Sequence, residues 1–311
     1  MVRTWSARQV SRLGALAIGM LLLVTACGST SSPGAAGPTA STTPTAAAAT
    51  GDTATGAGST VSTGSYSTGS HSVSWDVDGV ARTAEVVVPA GLTGPAPLVV
   101  AYHGHGGSGS SFQKKMDVEG LWPQAIVVYP DGLVGHKGKT DPEGVRTGWQ
   151  QQPDDEGGRD LRFYDVMMAD LRNQLPIDPQ HIFVMGHSNG SAFTSLLLNT
   201  RGDQIAATAN MSSQAGRLLD TDPVRSMFMS MGEQDPIVPY DSQKLSIPLA
   251  EAKLGVDPAT ATVDGYLRLE TGPGNLELAT YVHPEGHEVP DAVPPLVVAF
   301  FQRHSLADAR P

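Results

Sequence analysis

Cysteine is almost absent from this sequence: Cys27 is the only one among 311 residues. A lone cysteine cannot form a disulfide within the chain, which excludes the class of small exported proteins that depend on disulfides. Any folded part must therefore be stabilised by core packing. With 40% hydrophobic residues, the chain can build a full core.

Basic residues are also scarce, since 20 Lys and Arg stand against 31 Asp and Glu, a net charge of −11. An acidic surface repels the phosphates of nucleic acids and anionic lipid headgroups. We therefore expect no nucleic-acid partner, and no membrane binding through surface charge.

Long apolar runs are missing as well, apart from residues 13–24, which follow a basic start with Arg3, Arg8 and Arg12. This run is too short to span a bilayer comfortably, so residues 1–27 are interpreted as an export signal. The segment VTACG, which contains Cys27, resembles the lipobox of bacterial lipoproteins. The resemblance implies lipidation of Cys27, an extracytoplasmic location and membrane contact through the lipid alone. An ordinary secretory signal ending at a cysteine by chance is the alternative.

Residues 28–70 contain Ser, Thr, Ala, Gly and Pro with hardly any charged or large apolar residue. Such a composition cannot bury enough surface to offset the entropy of ordering. We predict a flexible tether there and a single compact domain over residues 71–311, which we expect to be monomeric.

Within that domain, apolar strand-length runs alternate with helical patterns. An antiparallel strand pair is predicted around residues 75–88. Further strands are predicted at 98–102, 125–129, 182–185, 206–211, 226–231 and 276–282, and helices at 161–175, 192–199, 242–254 and 292–304. Alternating strands and helices with fully apolar strands predict an α/β fold with a mostly parallel sheet covered by helices on both faces.

The segment GHSNG, residues 186–190, lies between a predicted strand and a predicted helix. It matches G-x-S-x-G, the nucleophile elbow in which a sharp turn exposes the serine hydroxyl above the sheet. In a chain with 35 glycines the pattern alone is weak evidence for a nucleophile elbow. Its position between a predicted strand and a predicted helix supports this interpretation. Ser188 is the predicted nucleophile.

In α/β-hydrolases the acid and the histidine of the catalytic triad follow the serine along the chain. Asp235 follows the 226–231 strand and is the predicted acid, with Glu233 as its rival. His287 follows the last strand and is the predicted base. His283 is the alternative, and His304 is assigned to a solvated helix face.

Donors for an oxyanion are expected from the backbone N–H groups of Asn189 and His105, the latter in the glycine-rich loop HGHGGSG. A phosphate cradle is the alternative for this loop, but the lysine of a P-loop is missing. His103, His105 and His187 could together bind zinc. However, their places in the two motifs already account for them, and no carboxylate pair accompanies them. We expect no metal and no cofactor.

The chain resembles the polyhydroxybutyrate-depolymerase-like esterases, relatives of the feruloyl and acetylxylan esterases. The matching segments are PLVVAYHGHGGSGSSF, TGW, RDLRFYDVMMADL, IDPQHIFVMGHSNG, GEQDPIVPY and EGHEVP. Two positions differ from the family: His105 stands where cysteine is frequent, and Glu288 and Val289 stand where tryptophan is common. These differences affect the expected substrate and leave the triad intact. Trp149 could wall the acyl or aryl pocket, with a place in the core as the alternative.

The predicted function is that of an exported, lipid-anchored serine esterase of α/β-hydrolase fold. It would hydrolyse carboxylic esters with short-chain, feruloyl-type or hydroxyalkanoate acyl groups through an acyl-enzyme. The alternatives are a serine peptidase of the prolyl-oligopeptidase kind and a non-catalytic surface lipoprotein that binds carbohydrate. The complete triad argues against the last, because a binding module has no use for a strained serine.

Overall fold

The computed structural model describes residues 66–138, 140–214 and 223–308. The predicted signal peptide, Cys27 and nearly all of the predicted tether lie outside these residues. Within the described ranges no helix has both the length and the apolar character needed to cross a membrane.

The described residues form one sheet with the strand order β1-β2-β4-β3-β5-β6-β7-β10-β9-β8. The strands are β1 (Gly69–Val77), β2 (Val80–Val88), β3 (Ala96–Tyr102), β4 (Ile126–Pro130), β5 (Ile177–His187), β6 (Ala207–Met211), β7 (Ser226–Gly232), β8 (Thr262–Asp264), β9 (Leu267–Thr271) and β10 (Glu277–His283). The six central strands, from β4 to β10, pair in parallel, and antiparallel strands flank them at both edges.

The strand order reverses between two neighbouring central strands, β3 and β5. From β3 the chain continues to β4 on one side, and from β5 it continues to β6 on the other. In open α/β sheets such a switch point leaves a crevice outside the carboxyl ends of the strands. The glycine-rich loop follows β3 and Ser188 follows β5, so the two predicted motifs meet at this crevice.

Helices cover both faces of the sheet. They are α1 (Gly109–Met116), α2 (Val118–Leu121), α3 (Arg159–Gln174), α4 (Asn189–Arg201), α5 (Tyr240–Gln243), α6 (Ser246–Leu254) and α7 (Val293–Phe301). Because side chains alternate along a strand, Leu98 and Val100 pack into the core beneath α3 and α4, whereas Val99 and Ala101 pack beneath α1, α2 and α7. The predicted sheet with helices on both faces is confirmed.

Differences from the prediction arise where proline or a capping residue decides the local structure. The predicted helix 242–254 is divided into α5 and α6, since Pro248 in the first turn of α6 has no N–H with which to continue a helix from α5. Helix α1 was not predicted. Its signal is a capping box in which the Ser108 hydroxyl accepts from the Ser111 N–H while the Ser111 hydroxyl accepts from the Ser108 N–H. The short hairpin β8–β9 was also missed.

The folded region begins earlier than the predicted boundary at residue 71. Strand β1 starts at Gly69, and the Tyr66 hydroxyl donates a hydrogen bond of 2.7 Å to Asp170 Oδ2. The same carboxylate oxygen accepts from Trp75 Nε1 at 2.8 Å. Residues 66–70 are therefore part of the sheet and its support, and do not belong to the predicted tether.

A buried ion pair fastens α3 to the edge of the sheet near the site. Arg82 Nη2 lies 2.8 Å from Asp160 Oδ1, and the two side chains are 1% and 0% exposed. The other oxygen, Asp160 Oδ2, accepts from the Gln150 N–H at 2.8 Å. The pair thus links β2, the segment before α3 and the start of α3 itself.

Loss of the Asp160 carboxylate should therefore be costly. We expect Asp160→Ala to lower the free energy of unfolding by about 3–5 kcal/mol, because a buried guanidinium is left without its counter-charge. The matched control is Asp165→Ala on the same helix, whose pair with Arg201 is partly exposed and should contribute about 1 kcal/mol or less. Urea denaturation followed by circular dichroism measures both, and equal losses in the two variants would contradict this account.

Candidate active site

The turn between β5 and α4 has the geometry of a nucleophile elbow. Ser188 has φ 52° and ψ −116°, a conformation rarely adopted by a residue with a side chain. A Cβ at Gly186 would lie 2.3 Å from Gly190 O, and a Cβ at Gly190 would lie 2.3 Å from Tyr102 O. Both flanking positions of the G-x-S-x-G motif therefore require glycine, because the backbones approach each other too closely for any side chain.

The structure brings the three predicted side chains of the triad together. The Ser188 hydroxyl lies 2.8 Å from His287 Nε2, and His287 Nδ1 lies 2.7 Å from Asp235 Oδ2. With Nδ1–H donating to the carboxylate, Nε2 is left to accept the serine proton. Ser188 follows β5, Asp235 follows β7 and His287 follows β10, so three parallel strands present the groups at the same edge of the sheet.

The Asp235 carboxylate is fully engaged. Oδ1 accepts from the N–H groups of Ile237 and Val238 at 2.8 and 2.9 Å, and Oδ2 accepts from Gln243 Nε2 at 2.9 Å besides His287. All these partners donate, as an ionised carboxylate requires. Gln243 is a fully buried side chain that the sequence analysis missed, since a glutamine within a short helix carries no recognisable signal.

The rival residues occupy other environments. Glu233 is exposed, and His283 Nδ1 lies 2.8 Å from Glu285 Oε2. The assignment of His304 to a solvated face is wrong. This side chain is 2% exposed, with Nε2 at 3.1 Å from Glu277 and Nδ1 at 2.9 Å from Asp308, because the chain turns inward after α7 ends at Phe301.

The glycine-rich loop after β3 is fixed by His103. With its Nδ1–H the ring donates to Gly104 O at 2.7 Å, and Nε2 accepts the Gly132 N–H at 3.0 Å. Burial lowers the pKa of His103, which favours this neutral form. In the described part of the chain the N–H of His105 has no acceptor, and Asn189 occupies the first position of α4, where an N–H has no acceptor within the helix. Both predicted oxyanion donors thus lie next to the elbow with N–H groups that are free to bind an oxyanion.

The predicted pocket role of Trp149 requires correction. The indole is fully buried, stacks on Phe193 with ring centroids 5.5 Å apart, and donates from Nε1 to His103 O at 2.9 Å. The Asn189 side chain clamps the Trp149 backbone, accepting its N–H at 2.7 Å and donating to its carbonyl at 2.9 Å. Trp149 therefore lies beneath the site and connects the glycine-rich loop with α4.

Two cavities open beside the triad and meet at Ser188. The first, of about 410 Å³, borders the glycine-rich loop and includes Lys115, Arg146 and His287. The second, of about 500 Å³, is lined by uncharged polar side chains such as Gln151 and Gln214 and also by Lys137 and Asp155, which carry opposite charges. Volumes of this order suit small-molecule ligands.

One group of potential metal ligands occurs in the described residues. His136, Asp155 and Glu156 offer ligand atoms within 4.8 Å of one another, beside the second cavity. Their contacts also have a simpler explanation. His136 Nδ1 lies 3.0 Å from Glu156 Oε1, and Asp155 Oδ2 accepts the backbone N–H groups of residues 151 and 152, so all three close the loop before α3.

Comparison with known proteins gives a consistent picture of the fold. No protein-family model matches the chain. It is 23% identical over 176 residues to a protein of Nocardia uniformis named "Putative esterase NocK", a match that covers 54% of this chain and about half, 48%, of that relative.

Solved structures with the same fold include an acetyl xylan esterase from Aspergillus awamori. It has a TM-score of 0.56 and 16% identity and covers 71% of this chain and 94% of its own. A carboxylesterase from Bacillus cereus has a TM-score of 0.52 and 14% identity, with the same coverage of 71% and 94%. These likenesses show that the chain has the α/β-hydrolase fold.

His187 is a second histidine at the elbow, with its ring centroid 4.9 Å from that of His287. Its Nε2 is buried and has no hydrogen-bond partner among the described residues. Burial, with the nearby His287 as a smaller cause, lowers the pKa of His187 to about 3. The folded protein therefore keeps this ring neutral at pH values where the unfolded chain protonates it.

A pH-dependent stability follows from that difference. Below pH 6.5 the unfolded state binds a proton at His187 that the folded state does not bind. The free energy of unfolding should therefore decrease as the pH falls from 6.5 toward 3. Between pH 6.5 and about 4.5, this effect should lower the free energy of unfolding of the unmodified protein by on the order of 2 kcal/mol. In His187→Gln that contribution should be absent. Urea denaturation of both proteins at the two pH values measures it, and an unchanged pH dependence in the variant would refute the assignment.

Proposed function

We propose that this protein is a serine hydrolase that cleaves carboxylic esters through an acyl-enzyme. The observation that carries the proposal is the continuous hydrogen-bond chain from Asp235 through His287 to Ser188, at 2.7 and 2.8 Å, ending at two open cavities. A buried acid, an oriented imidazole and a strained serine that borders the cavities together are the arrangement that acyl transfer requires.

In this mechanism Ser188 Oγ attacks the ester carbonyl carbon while His287 Nε2 takes the hydroxyl proton. The negative oxygen that forms is bound by the N–H groups of His105 and Asn189, which have no competing acceptor in the described residues. His287 then gives its proton to the departing alkoxide, and the acyl group remains on Ser188. A water molecule then attacks the acyl carbon while His287 takes its proton. His287 returns that proton to Ser188 Oγ as the bond to the acyl group breaks and the carboxylic acid leaves.

Asp235 holds His287 throughout this cycle. Its remaining oxygen positions are occupied by Ile237, Val238 and Gln243, so the carboxylate cannot rotate away from the imidazole. It keeps the proton on Nδ1, which leaves Nε2 free as the base, and its charge stabilises the imidazolium that forms.

The finer proposal concerns the kind of ester. The six ordered sequence segments between residues 97 and 290 support an enzyme similar to the polyhydroxybutyrate-depolymerase-like and feruloyl esterases. Turnover of p-nitrophenyl acetate, methyl ferulate and hydroxybutyrate oligomers would separate the three acyl classes. Hydrolysis of a peptide bond with no ester turnover would contradict the proposal.

Substitutions in the triad test the mechanism. Ser188→Ala and His287→Ala should each remove nearly all turnover of p-nitrophenyl acetate, since the two act as one proton-transfer unit. Asp235→Asn should lower kcat by about 10⁴-fold, the effect known for the equivalent change in serine proteases.

Glu233→Gln and His283→Ala are the matched controls, and each should stay within about tenfold of the unmodified protein. Circular dichroism checks that every variant is folded. Normal turnover in Asp235→Asn with loss in Glu233→Gln would transfer the acid role to Glu233, and activity in Ser188→Ala would overturn the mechanism.

We also propose that the protein is exported and anchored to the bacterial cell membrane by a lipid on Cys27. The support is the basic start, the short apolar run and the VTACG segment, followed by a spacer that could hold the catalytic domain away from the bilayer. The anchor would place the hydrolase where extracellular esters are encountered.

Replacement of the cysteine tests the anchor. In a bacterial host fed an alkyne-labelled fatty acid, the unmodified protein should incorporate the label and Cys27→Ser should not, because the thiol is the site of acylation. Ser29→Ala, which keeps the thiol, is the control and should be labelled normally. Equal labelling of Cys27→Ser would show that the lipid is attached elsewhere.

A further inference from the structure

The first of the two cavities is basic although the protein is acidic. Acidic residues outnumber Lys and Arg by 31 to 20 in the chain. Yet the described residues that line the cavity beside the glycine-rich loop include Lys115 and Arg146 and not one carboxylate. The local charge is therefore opposite in sign to the charge of the whole molecule.

Arg146 differs from every other arginine in the described ranges. Six of these guanidinium groups lie next to a carboxylate, and those of Arg172 and Arg225 donate to an amide or a carbonyl oxygen. Among the described arginines, only Arg146 has a guanidinium without a hydrogen-bond partner in the described residues. It is exposed at the cavity where Ser188 and His287 also lie.

The backbone that carries Arg146 is held firmly against the glycine-rich loop. Its own N–H donates to Asp141 Oδ2 at 2.9 Å, and His105 Nε2 lies 3.0 Å from the same oxygen. Next to it, Thr147 O accepts the Gly106 N–H at 2.7 Å, and the Thr147 hydroxyl donates to Gly107 O at 2.7 Å. The arginine is thus anchored beside the predicted oxyanion donor while its charged end stays free.

The nearby Asp141 does not neutralise that end. Its carboxylate accepts from the N–H groups of Val145 and Arg146 and from the His105 ring, and these hydrogen bonds, led by that of the Arg146 N–H, hold its pKa below the usual range. Asp141 is buried behind the loop and is not among the residues that line the cavity. Lys115 adds a second cation, whose pair with Asp291 is exposed to solvent and therefore weak.

We propose that the first cavity binds a negatively charged group of the substrate, and that Arg146 selects it. This inference rests on the proposed ester hydrolysis and narrows its substrate to esters that carry a carboxylate on the acyl or the alcohol portion. A guanidinium matches a carboxylate with two parallel hydrogen bonds, which a neutral alkyl chain cannot replace. Because the cavity shares Ser188 with the second one, the charged portion lies on one side of the scissile bond and the rest of the ester on the other.

Two pairs of substrates test this selectivity. For the acyl portion, p-nitrophenyl hemisuccinate is compared with p-nitrophenyl butyrate, which has the same chain length and no charge. For the alcohol portion, 4-acetoxybenzoate is compared with its methyl ester. In each pair the measured quantity is the ratio of kcat/KM for the charged ester to that for the neutral one.

We expect Arg146→Gln to lower this ratio about two- to fivefold in one of the two pairs, within the range found for solvent-accessible ion pairs. The affected pair identifies which portion of the ester enters the cavity. Arg146→Lys should keep only part of the ratio, because it retains the charge but not the two parallel hydrogen bonds, and added salt should reduce the ratio of the unmodified protein. Lys114→Gln, on α1 but outside the cavity, is the control for net charge and should leave both ratios unchanged.

The proposal is overturned if neither ratio changes in Arg146→Gln, or if Lys114→Gln changes them equally. In either case, the esterase function would still hold if the neutral esters are hydrolysed by the unmodified protein and not by Ser188→Ala. If no ester in either pair is hydrolysed in a Ser188-dependent way, the proposed function and the selectivity fall together.

Discussion

The close contact between the elbow and the end of β3 is the constraint on which the site depends. Gly190 lies so near the carbonyl groups of Tyr102 and His103 that a Cβ would be 2.3 and 2.4 Å from their oxygens. This contact sets α4 directly against the central strand and directs Ser188 to the crevice at the switch point. Replacing either flanking glycine would force the backbones apart, and the serine would lose its place beside His287 and the glycine-rich loop.

A second layer of contacts keeps the parts of the site in register. The Trp149 indole holds His103 O from below, while its backbone is held by the Asn189 side chain at the start of α4. Three segments that are distant in the sequence therefore share one rigid support. The positions of the reacting groups therefore depend on side chains such as that of Trp149, which is buried beneath the site.

Much of this arrangement could be predicted from the sequence because the signals are local or ordered. Glycines around Ser188, an acid after β7 and a histidine after β10 are each visible as residues that follow an apolar run. The supports were not predictable in the same way. Gln243 reaches Asp235 from another element, and the place of Trp149 depends on its packing against Phe193, a long-range contact that no pattern records.

The errors have the same origin. The prediction places His304 on a solvated face of the terminal helix, yet its two ring nitrogens lie within hydrogen-bond distance of Glu277 and Asp308 in the interior. The predicted boundary at residue 71 rests on composition, whereas Gly69 and Ser70 pair with β2, and Tyr66 packs on the core and donates to Asp170 on α3. Tertiary contacts decide both positions.

The meeting of two separate cavities at Ser188 also bears on the order of events in the proposed reaction. Once the acyl group is attached to the serine, it remains in one cavity while the released alcohol can diffuse out through the other. The vacated side then admits the water molecule next to His287, without any movement of the acyl group. A site of this shape suits double-displacement kinetics, in which the first product departs before the second reactant arrives.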